Sequence, residues 1–289
     1  MGSVALMFLG LLAGGVLIFD DGGSKDSDPD DNNDGGNTPD PQGQEATDRL
    51  EVGDASVDSL KGAAGDDQLF GKAGNDFLVG NSGNDRLFGG DGEDILSGGD
   101  GDDFLRGGAD DDLLAGGTGE DHLKGDSGDD LLISSGGIDD TVLQGAISFA
   151  LNNPNATDEQ LDEKVEGLFD PDNADQEKDI VDGGKGDDTF ILGGNDVAKG
   201  EQGMDTFVVG DWITPGNPVT IEDYEASENI IFSIPKGTAE PMIDFSYDPD
   251  VNTTTVLIDK EPTVILTGID FNSVDVKLST AERSASDVA

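Results

Sequence analysis

From Gly53 to Ile133 the chain repeats every nine residues without an insertion or deletion, and this period constrains the fold more than any other feature. The successive units are GDASVDSLK, GAAGDDQLF, GKAGNDFLV, GNSGNDRLF, GGDGEDILS, GGDGDDFLR, GGADDDLLA, GGTGEDHLK and GDSGDDLLI. All carry Gly first, Asp sixth and Leu eighth. Composition alone would point elsewhere: 64 acidic residues against 15 basic ones, a net charge of −49 and 44 glycines are the signature of a disordered chain. A disordered acidic tail has no reason to hold three positions in register through nine units, so the period overrules the composition.

Each unit divides into a six-residue turn and a three-residue strand. Glycines at the first, often the second and usually the fourth place permit positive φ and close backbone approach, so turn carbonyls can converge. The leucines Leu60, Leu69, Leu78, Leu87, Leu96, Leu105, Leu114, Leu123 and Leu132 share one face of their strands, an inward ladder. Seventh and ninth residues then point outward and are mixed, as Ser59, Gln68, Arg86, His122, Lys61 and Lys124 illustrate. A uniform inside and a variable outside describe a solenoid.

The sixth-position carboxylates Asp58, Asp67, Asp76, Asp85, Asp94, Asp103, Asp112, Asp121 and Asp130 fall in rows along the turns. Stacked at strand spacing they repel one another, so the turns close only around a cation. Hard oxygen donors select Ca²⁺ or Mg²⁺, and flexible carbonyl-rich loops favour the larger ion. The repeat region holds 20 acidic and 5 basic residues, net −15. An ion between each unit and the next but one gives about seven sites and roughly +14, nearly cancelling that charge.

These residues resemble the GGxGxDxUx nonapeptide of the RTX (hemolysin-type calcium-binding repeat) family, strongly over Gly53 to Ile133 and more weakly over Asp179 to Val209. The resemblance implies an all-β fold, a right-handed parallel β-roll solenoid with two units per turn and several bound Ca²⁺ ions. It implies carboxylate ligands at the nine aspartates above and at Asp188 and Asp205. Carbonyl ligands would come from Gly62, Ala64, Gly71, Gly80, Gly89, Gly90, Gly92, Gly98, Gly99, Gly101, Gly107 and Gly116. It also implies an extracellular location, type I secretion through a C-terminal signal, and folding driven by external millimolar calcium. Ser56 and Asp110 replace the fourth-position glycine, which weakens the sites expected at those turns. The tract VTIEDYEASENIIF from Val219 resembles the β-rich trailing segment of RTX proteins.

Around this block the chain divides further. Residues 1–19 contain an uncharged apolar stretch, Val4 to Phe19, with no basic residue ahead of it; membrane anchor and export segment both remain open. Residues 20–52 read as an acidic, flexible linker. The β-roll repeats span 53–143 and an insertion follows at 144–178. There a capping box, Thr157 with Gln160, precedes Leu161, Val165 and Leu168 and predicts one short helix. A second short repeat block spans 179–209, with GGKGDDTFI at Gly183, a slip of one residue through Leu192 to Lys199, and GEQGMDTFV at Gly200.

Residues 210–289 read as a C-terminal β-rich cap. Its predicted strands are Val219 to Tyr224, Asn229 to Ile234, Ile243 to Tyr247, Thr254 to Ile258, Thr263 to Leu266 and one near Val274 to Leu278. Asp287-Val288-Ala289 faintly echoes an export signal.

Several function classes drop out. The charge opposes binding to nucleic acid or to anionic lipid. With no Cys and a single His, His122, there is no thiolate site, multi-histidine zinc site or H-E-x-x-H motif, and no G-x-S-x-G elbow is present. His122 lies at an outward repeat position, where a solvated side chain is expected. The sequence therefore predicts a non-enzymatic, extracellular calcium-binding protein of structural, adhesive or surface-associated role. The alternative is an accessory or targeting module for a separate secreted enzyme or toxin. The surface or protein ligand is not specified by any motif.

Overall fold

A computed structural model describes residues 48–134, 176–269 apart from 236 and 238, and 278–283. The apolar stretch at 1–19 and the helix expected within 144–178 lie outside the described residues. Among those described there is no helix.

The chain winds through two parallel sheets, alternating between them. The first sheet contains β1 (Leu50–Val52), β3 (Gln68–Ala73), β5 (Arg86–Asp91), β7 (Phe104–Ala109) and β9 (His122–Ser127). It continues through β11 (Ile180–Lys185), β13 (Val197–Gln202), β15 (Val219–Ile221) and β19 (Glu261–Thr267). The second contains β2 (Ser59–Lys61), β4 (Phe77–Ser82), β6 (Ile95–Asp100), β8 (Leu113–Thr118) and β10 (Leu131–Ile133). It continues through β12 (Thr189–Ile191), β14 (Thr206–Gly210), β16 (Asn229–Pro235) and β20 (Leu278–Arg283). Among the described strands only the hairpin of β17 (Ile243–Asp248) and β18 (Thr253–Ile258) runs antiparallel, pairing onto β19 at the end of the first sheet.

Two nonapeptides make one turn. Leu87 therefore sits between Leu69 and Leu105 in the first sheet, and Leu96 between Leu78 and Leu114 in the second. These side chains are fully buried, and Leu123, Leu132, Val181, Phe190, Ala198, Phe207, Ile221 and Ile230 extend the same two columns. Each buried leucine contributes about 1.5–3 kcal/mol. The expected leucine ladder is thus the core of the roll.

The columns pass straight across the interruption. His122, Leu123 and Lys124 pair with Ile180, Val181 and Asp182, and Leu132 pairs with Phe190. The two repeat blocks therefore stack as consecutive turns of one solenoid. The parallel ladders then run on beyond residue 210, because β15 pairs with β19 and β16 with β20. What closes the first sheet is the β17–β18 hairpin, which covers an edge that would otherwise present unpaired backbone groups. Of the strand expected near Val274 to Leu278, only Leu278 lies among the described residues, where it opens β20.

Two local expectations need revision. Most repeat strands span six residues, taking in the first three positions of the next unit, so the turn is only three residues long. The outward face is also not uniformly mixed. On the first sheet it carries Gln68, Arg86 and Arg106, all exposed, beside a row in which Phe70 stacks on Phe88 with ring centroids 4.8 Å apart. On the second it carries Val79, Leu113, Ala115, Leu131, Ile133, Ile191 and Val208, all buried. The outer face of the second sheet is therefore mainly apolar over these strands, with Ser97, Thr189 and Thr206 among its polar members.

Candidate metal centre

The sixth-position aspartates form two rows, one along each edge of the roll. Turns leading from the first sheet to the second carry Asp58, Asp76, Asp94, Asp112, Asp130, Asp188 and Asp205. Turns leading back carry Asp67, Asp85, Asp103, Asp121, Asp179 and Asp196. Within a row each carboxylate is tied to the next turn by the same bond: the Asp76 N–H donates to Asp94 Oδ1 at 2.7 Å, and the Asp94 N–H to Asp112 Oδ1 at 2.8 Å. The ladder continues from Asp112 to Asp130, Asp130 to Asp188 and Asp188 to Asp205, at 2.8, 2.9 and 2.9 Å. On the opposite edge Asp67 donates to Asp85, Asp85 to Asp103, Asp103 to Asp121 and Asp121 to Asp179, at 2.6–2.8 Å.

Position one of each unit must be glycine for a reason the sequence did not disclose. Gly80 and Gly98 are not in the positive-φ region, but a Cβ on either would overlap the carboxylate of its own unit, Asp85 or Asp103. The neighbouring-turn carbonyls of Gly98 and Gly116 border those same spaces. Gly62, Gly71, Gly89, Gly107 and Gly116 stand in the same relation to Asp67, Asp76, Asp94, Asp112 and Asp121. Positive φ belongs to the second and fourth positions, as at Gly90 (129°), Gly92 (117°), Gly99 (114°) and Gly101 (131°). Asp110 takes this conformation too, at 73°, so its turn keeps the shape of the others despite the lost glycine. Ala64, at position three, bridges to Ser82 of the following turn.

The second carboxylate oxygen carries the chemistry. Oδ2 of Asp76, Asp85, Asp94, Asp103, Asp112, Asp130 and Asp188 is buried with no hydrogen-bond partner, whereas the Asp205 carboxyl meets that of the buried Glu228. A buried polar atom left unpaired costs about 1–3 kcal/mol, more if charged. Burial pushes the carboxyls of Asp76 and Asp85 up from 3.8 to about 6, and those of Asp94 and Asp130 to about 7. Asp103 and Asp188 rise to about 8 and Asp112, in the middle of its row, to about 10. In every case desolvation is the main cause, opposed by the backbone N–H bond and reinforced by neighbouring carboxylates.

Rows of buried, solvent-stripped oxygens aimed at glycine-lined space fit a divalent cation held by carboxylate and carbonyl oxygen. Among the described residues no three carboxylates or imidazoles converge on one point, so each site would draw no more than two carboxylates and take its remaining donors from backbone.

Asp179 and Asp196 belong to the rows although only their neighbours were singled out from sequence. Asp179 could have been found by counting backward from Gly183 in nines. His122 lies on the outer face of the first sheet, edge-on to Phe104 and 3.8 Å from Asp182, far from the leucine core.

Residues 52–78, 71–105, 79–114 and 106–140 match the family model of the RTX calcium-binding nonapeptide repeat, in four copies. No curated protein matches the chain.

Proposed function

We propose, from a chain that carries RTX calcium-binding nonapeptide repeats over residues 52–140, that this protein is an extracellular β-roll held closed by several Ca²⁺ ions. Its role is structural, adhesive or surface-associated and not catalytic. The observation that carries this reading is the file of buried Oδ2 atoms without partners at Asp76, Asp94, Asp112, Asp130 and Asp188, with Asp85 and Asp103 on the opposite edge. Sixth-position aspartates supply the carboxylate ligands and the adjoining glycine-rich turns supply the carbonyls. Calcium supplies the positive charge that lets these carboxylates remain ionised when buried.

An outside location is supported by the chemistry of the sites. Weak carbonyl-rich loops fill at millimolar calcium, which is an extracellular condition. Circular dichroism tests the reading directly. The chain should be largely unstructured in chelator and gain β-structure on titration with calcium to millimolar levels, whereas an unchanged spectrum would remove calcium from the account. Fractionation of the native protein, with recovery outside the cell expected, tests the location.

A further inference from the structure

The geometry points to three turns of the roll, 53–58, 62–67 and 192–196, as closures of the array that hold no cation. We infer that in each of them donors of the chain itself occupy the positions a divalent ion takes elsewhere. This inference rests on the calcium-roll reading above and divides its sites into two kinds.

In the central turns the carboxylate Oδ2 has no partner, as at Asp94, Asp103 and Asp112. The residue one turn on that could reach the first-position carbonyl is Gly108 for the Asp94 turn and Gly117 for the Asp103 turn, neither with a side chain, and Asp126 for the Asp112 turn, whose ionised carboxylate has no proton to donate. At turn 53–58 both conditions are reversed. Asp58 Oδ2 accepts the Asp54 N–H at 2.7 Å, and the Gly53 carbonyl accepts Lys72 Nζ at 2.6 Å. Turn 62–67 repeats the arrangement on the opposite edge. Asp67 Oδ2 accepts the Ala63 N–H at 2.7 Å, and the Gly62 carbonyl accepts Asn81 Nδ2 at 2.9 Å. Lys72 and Asn81 stand at position two of their units, where the central units have glycine.

Turn 192–196 reaches the same end with different residues. Asp196 Oδ2 accepts both the Ser134 Oγ–H and the Gly193 N–H, each at 2.6 Å. The carbonyl of Leu192, which replaces the first-position glycine, accepts the Trp212 indole N–H at 2.8 Å. The unit is one residue short, and the spacing from Asp179 to Asp196 is 17 where 18 is the rule. Asp196 is fully buried and yet meets three donors, since its Oδ1 accepts the Asp179 N–H at 3.2 Å.

The same pair of groups, the turn carboxylate and the first-position carbonyl, is thus satisfied internally at three turns by unrelated side chains. A cation entering any of them would have to displace a buried or backbone donor. In the central turns it displaces nothing.

Anomalous diffraction from the unaltered full chain crystallised with calcium locates the ions directly. Density is expected in the turns of Asp94, Asp103 and Asp112 and none at 53–58, 62–67 or 192–196; an ion at any of those three overturns the inference. Native mass spectrometry of the calcium-saturated chain adds a count. Asp94→Asn should lose one ion relative to the unaltered chain, while Asp67→Asn and Ser134→Ala should keep the full number. Loss of an ion from Asp67→Asn or Ser134→Ala would overturn the division while leaving the calcium roll intact. A chain that binds no calcium at all would overturn the roll reading itself.

Discussion

Stripped of calcium, this chain should fold better in mild acid than at neutral pH, the reverse of ordinary acid denaturation. An Asp in the open chain ionises near 3.8, whereas in the closed roll Asp76 and Asp85 are raised to about 6 and Asp94 to about 7. Below pH 4 these groups are protonated in both states and folding carries no ionisation penalty. As pH rises the open chain loses its protons first, so stability falls until pH passes the folded values. At 1.36 kcal/mol per pH unit, these three carboxylates alone cost about 10 kcal/mol by pH 8. A whole domain has about 5–15 kcal/mol of stability, so the ion-free roll should open between about pH 4 and 7.

The assay is far-ultraviolet circular dichroism of calcium-free protein from about pH 4.5 to 8. It should be run dilute, with light scattering recorded alongside, because the isoelectric point is near 4.1. β-Structure present in acid should vanish toward pH 8 and return there on adding calcium. The calcium midpoint should rise as pH falls, because protons and Ca²⁺ compete for the same oxygens. An ion-free chain that is as fully folded at pH 8 as in acid would refute the reasoning, since burial of the carboxylates would then not be the obstacle to closure.

Other perturbations separate the roles of individual residues. Asp94→Asn combined with Asp112→Asn should raise the calcium midpoint of folding several-fold, whereas Asp20→Asn in the acidic linker should leave it unchanged, both read by calcium titration. Leu105→Ala empties a fully buried place in the middle of the ladder and should cost about 2–5 kcal/mol, seen as a lowered Tm in saturating calcium; Leu105→Met should cost less than about 1.5 kcal/mol. Gly98→Ala should weaken calcium binding although its φ suits any residue, because the added methyl overlaps the Asp103 carboxylate and the Gly116 carbonyl. Asp110→Gly should leave the calcium midpoint near that of the unaltered chain, since Asp110 already holds the turn conformation.

The leucine columns and the carboxylate rows were legible because a fixed period places equivalent residues in equivalent positions, whatever the rest of the chain does. The two unlike outer faces were written in the same units but were hidden by reading them in chain order. Sorted alternately, the second-sheet units give Ser59, Lys61, Phe77, Val79, Ile95, Ser97, Leu113, Ala115, Leu131 and Ile133, mostly apolar, and the first-sheet units give Gln68, Arg86, Arg106, His122 and Lys124 interleaved with Phe70, Phe88 and Phe104. A roll with two units per turn deals successive units to opposite sheets, so the relevant period is eighteen. The role of the first-position glycine was misassigned for a related reason. Sequence shows that a side chain is excluded there, but only the folded turn shows that a carboxylate excludes it.

Ser134 and Asp196 could not have been paired from sequence, since 62 residues separate them, and their contact explains how a solenoid tolerates an interruption. The Asp121 N–H reaches Asp179 over 58 residues where 18 is usual, so forty additional residues enter at one turn. Solenoid stability is close to a sum over neighbouring turns, and an insertion at an edge leaves each sheet contact intact provided the strands on either side regain register. The local loss is a cation site. That site is the turn at 192–196, where Leu192 replaces the first-position glycine and Asp196 accepts bonds from the chain itself. The Ser134 hydroxyl donates to the Asp196 carboxylate one turn further on, replacing ionic closure with a hydrogen bond at the place where the chain departs.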